Sequence, residues 1–258
     1  MPNKLRVGLL GCGAIASGIA TAIKKGKLKG ISITAVFDYN KNTVSNFSRK
    51  FNVRSTKNTK ELSSKSDVVV EAASQQAVME YGKGILLSCD LMIMSVGALT
   101  EPKLLRSLKT AAKKNKNRIW VPSGAVCGID CAKAVSLGKI ETAQLTTTKP
   151  SKALPVNVKK RTIVFDGWAN AASKEFPKNI NVAAVVQLAL GKPLRVKIIS
   201  DPKARRNTHE LFLKGEFGEL RTQLQNVPSA DNPKTSRMAI YSALAVLKRM
   251  SETIQIGN

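Results

Sequence analysis

Three sets of residues in this sequence have types and spacings that could do chemistry. The first is Gly11-Cys12-Gly13-Ala14-Ile15-Ala16, a turn with almost no side chain between an apolar run and a helical pattern. Glycine at the first position permits a tight turn, and glycine at the second lets backbone approach a pyrophosphate. The small Ala16, in place of the usual third glycine, lets helix pack on strand. The N–H groups of Ala14 and Ile15 at the helix start then meet the anion. Asp38 follows at roughly the 20-odd residues where dinucleotide-binding folds place a carboxylate against the adenosine ribose. That carboxylate favours NAD, while Lys41 offers a partner for the extra phosphate of NADP.

The second is His209, the 1 histidine of the chain. It alternates with Leu211 and Leu213 on an inward strand face, where it is either a hydrogen-bonded core residue or a proton-transfer group with a near-neutral reference pKa. The third is Cys127 and Cys131, spaced i,i+4. With Cys12 and Cys89 they form no framework, and no second ligand set lies nearby, so reduced thiols and no metal are expected.

The elements that must hold these residues can be read in order. "LRVGLL" is a buried strand, "AIASGIATAIKKG" a helix ending at Gly26, and "ISITAVFD" a second strand closing at Asp38. "TVSNFSRKFNV" is a helix leading to a short edge. "DVVVEAAS" is a strand, "QAVMEYGKGILLSC" a helix, "DLMIMSVGAL" a strand, "PKLLRSLKTAAKKNKN" a helix and "RIWVPSGAV" a last strand. Strands alternating with helices imply a doubly wound parallel sheet of the Rossmann kind over residues 1–122, its ligand crevice beyond the strand C-termini. Asp38, the Ala72–Ser74 loop with Ala73, Gly97–Ala98 and Ser123–Ala125 should therefore face one another across a cofactor.

Past Gly128 the rhythm changes. "AKAVSLGKI" and "NINVAAVVQLALG" read as helices. "ETAQLTTTKP", "RTIVFDG", "RVKIISD" and "THELFLKGEFGELRTQLQNV" alternate as strands, the last bending near Gly218. Residues 123–258 are thus a smaller α+β domain. Its final helix, 234–253, has an apolar face at Met238, Tyr241, Ala245 and Leu247 and should return to the first domain.

Composition bounds the function classes. No apolar stretch reaches the roughly 20 residues of a spanning helix, and the amino terminus lacks the pattern of a signal peptide, so the cytoplasm is the expected compartment. Forty-two Lys and Arg against 17 Asp and Glu leave a net charge of +25. The basic residues are dispersed and aromatics make up only 5%, which favours a cationic solvated surface over a specific nucleic-acid site.

Four longer phrases add specificity. "WVPSGAVCGIDCAKA", "TTTKPSKAL", "FDGWANAASKEFPKNINVAAVVQLA" and "NTHELFLKGEFGEL" with "ADNPKTSRMAIYSALAVL" resemble the L-aspartate dehydrogenase family over nearly the whole chain. The resemblance implies oxidation of L-aspartate with NAD or NADP to iminoaspartate, then oxaloacetate and ammonia, with the imine able to feed NAD synthesis. It also implies a homodimer. By position His209 matches the family's active-site histidine, Ala125 and Asn179 its nicotinamide contacts, and Gly11 and Gly13 its pyrophosphate turn. Two substrate carboxylates need cationic or polar partners. Ser123, Lys149, Lys234 and Thr235 have the chemistry, though surface lysines and a helix cap account equally well for the last three. The alternatives are a related two-domain reductase of another small keto or imino acid, and a noncatalytic nucleotide- or nucleic-acid-binding protein.

Overall fold

The computed structural model describes residues 4–156, 158–176, 180–229, 232 and 235–256 and divides into two units. One comprises Met1–Pro122 with Ala239–Ile256, the other Ser123–Met238.

In the first unit the order is β1 (Leu5–Leu10), α1 (Ala14–Lys24), β2 (Ile31–Phe37), α2 (Lys41–Phe51), α3 (Thr59–Ser64), β3 (Val68–Glu71), α4 (Gln75–Ile85), β4 (Asp90–Ile93), α5 (Pro102–Lys114) and β5 (Ile119–Trp120). The sheet runs β2-β1-β3-β4-β5 with every neighbour parallel, a doubly wound fold. Sequence direction reverses between β1 and β3, which opens a crevice beyond their C-terminal ends. Short polar residues start the helices: Asn40, Asn58 and Ser74 cap α2, α3 and α4 through their side chains, each satisfying first-turn N–H groups.

Two readings of this half need correction. The strand expected over "DLMIMSVGAL" stops at Ile93, and Val96–Thr100 is a 3₁₀ turn in which Gly97 and Ala98 are buried. The neighbour β3 pairs only as far as Ile93, through Glu71, whose carboxylate then accepts the Ser95 N–H at 3.0 Å and turns the chain out of the sheet. The edge after α2 proves to be an isolated bridge between Val36 and Ser55, followed by α3.

The second unit contains α6 (Ile129–Val135), β6 (Ile140–Pro150), β7 (Thr162–Trp168), α7 (Ala169–Glu175), α8 (Asn181–Leu190), β8 (Arg195–Asp201), β9 (Thr208–Gly215) and β10 (Gly218–Gln225). Its sheet runs β10-β9-β6-β8-β7, with β6 and β8 parallel and the other pairs antiparallel. Leu145, Val196, Leu211 and Leu213 on one face pack with Ala172, Ala183 and Val186 of the helices. Two positions further along β6 and β9 on that face, the leucines give way to Thr147 and His209. The core therefore has a polar end.

After β10 the chain forms α9 (Arg237–Ser251). Its buried stripe is Ile240, Ala243 and Leu247, of which Ala243 and Leu247 join Val7, Ile19 and Val36 in the first unit's core. Tyr241, assigned to the apolar face from sequence, is 57% exposed, and Ala245 is exposed as well. The helix has apolar residues on several sides, and the choice among them is made by α1: at Gly18 a Cβ would come within 2.5 Å of Ile240 Cγ2. Only a bare backbone lets that isoleucine seat.

Candidate active site

The glycine turn leaves β1 at Gly11, whose φ is +96°. A Cβ there would lie 2.8 Å from the Ala73 Cβ and 2.9 Å from the Ala72 carbonyl, so the loops after β1 and β3 touch at this point. Gly13 precedes α1 and no side chain caps the helix, which leaves the start of α1, with Ala14 and Ile15, to an anion. A Cβ on Gly13 would meet only Ala72 O, at 3.8 Å. The backbone is therefore close to Gly11 on one side and open at Gly13 on the other, as a diphosphate requires.

Asp38 is part of this turn. Its Oδ2 accepts the Cys12 N–H at 2.9 Å and its Oδ1 the Asn40 N–H at 3.0 Å. Each oxygen keeps a second lone pair, which fits a ribose diol. Cys12 itself is buried, and burial with the neighbouring Asp38 pushes its thiol up to about 12, so it is an inert packing residue. Behind Ala73, the buried Glu71 accepts Ala73 N–H at 2.8 Å and the Ser95 hydroxyl at 2.9 Å. Burial pushes its carboxyl up, and the hydrogen bonds from Ser95 and Ala73 oppose that shift. Nothing in its sequence context distinguishes Glu71 from any acid ending a buried strand. The residues present fit a dinucleotide.

In the second unit, His209 is 5% exposed and its Nδ1 lies 2.9 Å from Thr147 Oγ1. Burial, aided by the charge of Lys149, pushes the imidazole down to about 3. Lys149 is 8% exposed and burial pushes it down to about 8. Ser200, opposite Lys149 on β8, is buried too and bonds the Ser151 hydroxyl at 3.0 Å. His209 and Lys149 are thus on one sheet.

Ala125 and the turn before α9 are joined by a residue the sequence reading passes over. Asn226 donates from Nδ2 to Ala125 O at 3.0 Å, and its Oδ1 accepts the Ser236 hydroxyl at 2.5 Å. Ser236 also accepts the Met238 N–H at 3.0 Å, so the cap of α9 is Ser236 and not Thr235. Thr235 is half-buried, with its N–H on Asn232 O at 2.9 Å. Ser123 is half-buried at the start of the unit. Asn179 and Lys234 lie outside the described residues. Among the described residues no group of three or more His, Cys, Asp or Glu could hold a metal, and no helix is long and apolar enough to cross a membrane.

The histidine makes a pH prediction. Its folded-state value lies below the unfolded reference of about 6.5, so the unfolded chain binds the proton first on acidification. The stability from the neutral ring is complete above about pH 6.5 and falls below it, by up to ~1.4 kcal/mol per pH unit. Urea denaturation between pH 7 and 5 should show a shallower slope for His209→Gln than for the unaltered chain. Equal slopes would mean the ring protonates freely.

The parallel sheet, its glycine turn and the second mixed sheet place the chain in the class of two-domain NAD(P)-dependent oxidoreductases. Residues 11–122 match the family described as homoserine dehydrogenase, NAD binding domain, and residues 130–250 that described as aspartate dehydrogenase, C-terminal. The L-aspartate dehydrogenase of Methanocaldococcus jannaschii is 40% identical, over 98% of this chain and 99% of the relative. That of Methanothermobacter thermautotrophicus is also 40% identical, over 98% of each. The crystal structure of aspartate dehydrogenase from Thermotoga maritima superposes with a TM-score of 0.80 at 26% identity, covering 98% of this chain and 99% of that one. A biliverdin reductase from Synechocystis, at 13% identity and a TM-score of 0.59, shares the fold. The chain belongs to the L-aspartate dehydrogenase family.

Proposed function

We propose that the chain oxidises L-aspartate to iminoaspartate with NAD(P), and that water then releases oxaloacetate and ammonia, the sequence being reversible. The observation that carries this reading is a buried imidazole on the same sheet face as a buried lysine. Gly11, Gly13, Ala14 and Ile15 hold the diphosphate through backbone, Asp38 the ribose, and Ala73, Ala125 and Asn179 complete the cofactor contacts. Held by these residues, an oxidised nicotinamide would supply the acceptor for the Cα hydrogen of the substrate and its electron pair. His209 accepts a proton from the substrate amine or from the attacking water and returns one to the leaving ammonia. A proton acceptor must be uncharged to begin, and burial keeps this ring so at neutral pH.

Lys149 binds one substrate carboxylate, with Ser123, Thr235 and Lys234 as partners for the other. Burial is the main cause of the lowered imidazole pKa, and an anion against Lys149 offsets the smaller part that comes from the lysine charge. Lys149→Met should raise KM for L-aspartate about 10–100-fold, the loss expected for a desolvated charge-assisted contact. Initial rates across aspartate concentrations check this; an unchanged KM would remove Lys149 from the site.

The direct test is the absorbance of reduced nicotinamide with purified protein, L-aspartate, and NAD beside NADP. Turnover with a higher kcat/KM for NAD is expected, because Asp38 would repel a 2′-phosphate. Turnover of another amino acid but none of L-aspartate would favour the rival small-acid reductase. We further infer a cytoplasmic homodimer whose imine can supply NAD synthesis. The exposed Ile163 and Trp168, both directed outward from β7, support its second sheet as the dimer contact.

A further inference from the structure

The direction of one hydrogen bond decides whether His209 can act as a base. A neutral imidazole carries its proton on one nitrogen and a lone pair on the other. Thr147 stands directly opposite His209 in the antiparallel β6–β9 pair, and its Oγ1 is 2.9 Å from Nδ1. Both residues are 5% exposed, so bulk water does not compete for this bond. A threonine hydroxyl can accept or donate. If it donates to Nδ1, the ring proton sits on Nε2 and the one lone pair, on Nδ1, is occupied by the threonine. If it accepts from Nδ1–H, Nε2 is the base.

The surroundings limit the ring to these two neutral forms. On the same sheet face, β6 contributes Lys149 two positions beyond Thr147, β8 contributes Ser200 opposite Lys149, and β10 contributes Leu224 opposite His209. Lys149 is the charged group among them, and its charge opposes an imidazolium. No carboxylate on these strands shares that face to stabilise one: Glu210 bonds Gln223 on the other side of the sheet. Which nitrogen holds the proton is therefore left to Thr147. β-Branching also makes threonine stiff at χ1, so its hydroxyl is a fixed point against which the ring can be oriented.

We propose that Thr147 is a positioning residue for the reaction: its Oγ1 accepts Nδ1–H of His209, which fixes the ring and reserves Nε2 for the substrate proton. This rests on the reading above that His209 is the proton acceptor. The same logic operates wherever a buried partner on one ring nitrogen sets the tautomer at the other.

Because the chain contains 1 histidine, ¹⁵N-histidine labelling reports a single imidazole and reads its tautomer without any turnover. The unaltered protein is expected to show Nδ1–H. Thr147→Val, which keeps shape and β-propensity, should lose that preference and lower kcat for L-aspartate about 10–100-fold while KM stays within about twofold, the scale of other outer-shell orienting contacts. Thr147→Ser should restore both the tautomer and most of kcat. An Nε2–H ring in the unaltered protein overturns the proposal, and so does a valine variant with unchanged tautomer and kcat. Should the valine variant fail to fold, the tautomer of the unaltered protein and the behaviour of the serine variant decide. If L-aspartate proves not to be the substrate, the NMR result still stands; if turnover is intact but the tautomer is wrong, only the role of Thr147 falls.

Discussion

His209→Ala should lower kcat/KM for L-aspartate by about 10³–10⁴-fold, the upper range for loss of a general acid–base group. No other histidine exists to substitute, and the other buried titratable group on that face, Lys149, holds a proton when charged and cannot accept one. Cofactor affinity should change less than about twofold, because the glycine turn and Asp38 belong to the other unit. The substitution also strips the Thr147 hydroxyl of its partner, at a cost of about 1–3 kcal/mol, so a thermal melt must accompany the kinetics. Steady-state absorbance and fluorescence titration with reduced cofactor give the two numbers. Activity within tenfold of the unaltered chain would end the role of the imidazole in proton transfer.

Gly11→Val should cost about 2–5 kcal/mol and abolish measurable cofactor binding. The estimate combines roughly 1–2 kcal/mol for a side chain at positive φ with about 1–3 for overpacking. The atoms it would strike cannot retract: Ala72 N is bonded to Leu10 O at 2.8 Å, and Ala73 N to the Glu71 carboxylate at 2.8 Å. Gly13→Ala separates fold from ligand. Its φ of −80° suits alanine and its Cβ would meet no protein atom closer than 3.8 Å. That variant should melt like the unaltered chain yet bind the dinucleotide at least tenfold more weakly. If both variants bind normally, the turn is not the diphosphate site.

The sequence shows its cofactor half more openly than its catalytic half, for a physical reason. The glycine turn is local: Gly11 and Gly13 sit in one loop, Ala16 in the first turn of α1, and Asp38 directly follows the next strand. His209 announced only its inward face, through alternation with Leu211 and Leu213. The threonine that holds it is 62 positions away in sequence, and Asn226 is 101 from Ala125. Such pairs depend on strand register, which alternation alone leaves open. Short elements are not legible for another reason: α3 and α7 each span too few turns for periodicity to show. In α9 several apolar stripes compete, and the neighbouring helix α1 selects the one that leaves Tyr241 exposed.

The first unit is sewn from two separated stretches of polypeptide, with Ala243 and Leu247 completing a core begun at Val7. A ribosome therefore releases the β1 hydrophobic surface long before the residues that will cover it have been made. Until translation passes Leu247, nascent chains must keep that surface from sticking to other molecules, while the intervening unit already has all its own strands and can fold first. Chaperone dependence during synthesis should accordingly track the opening segment rather than the middle of the polypeptide.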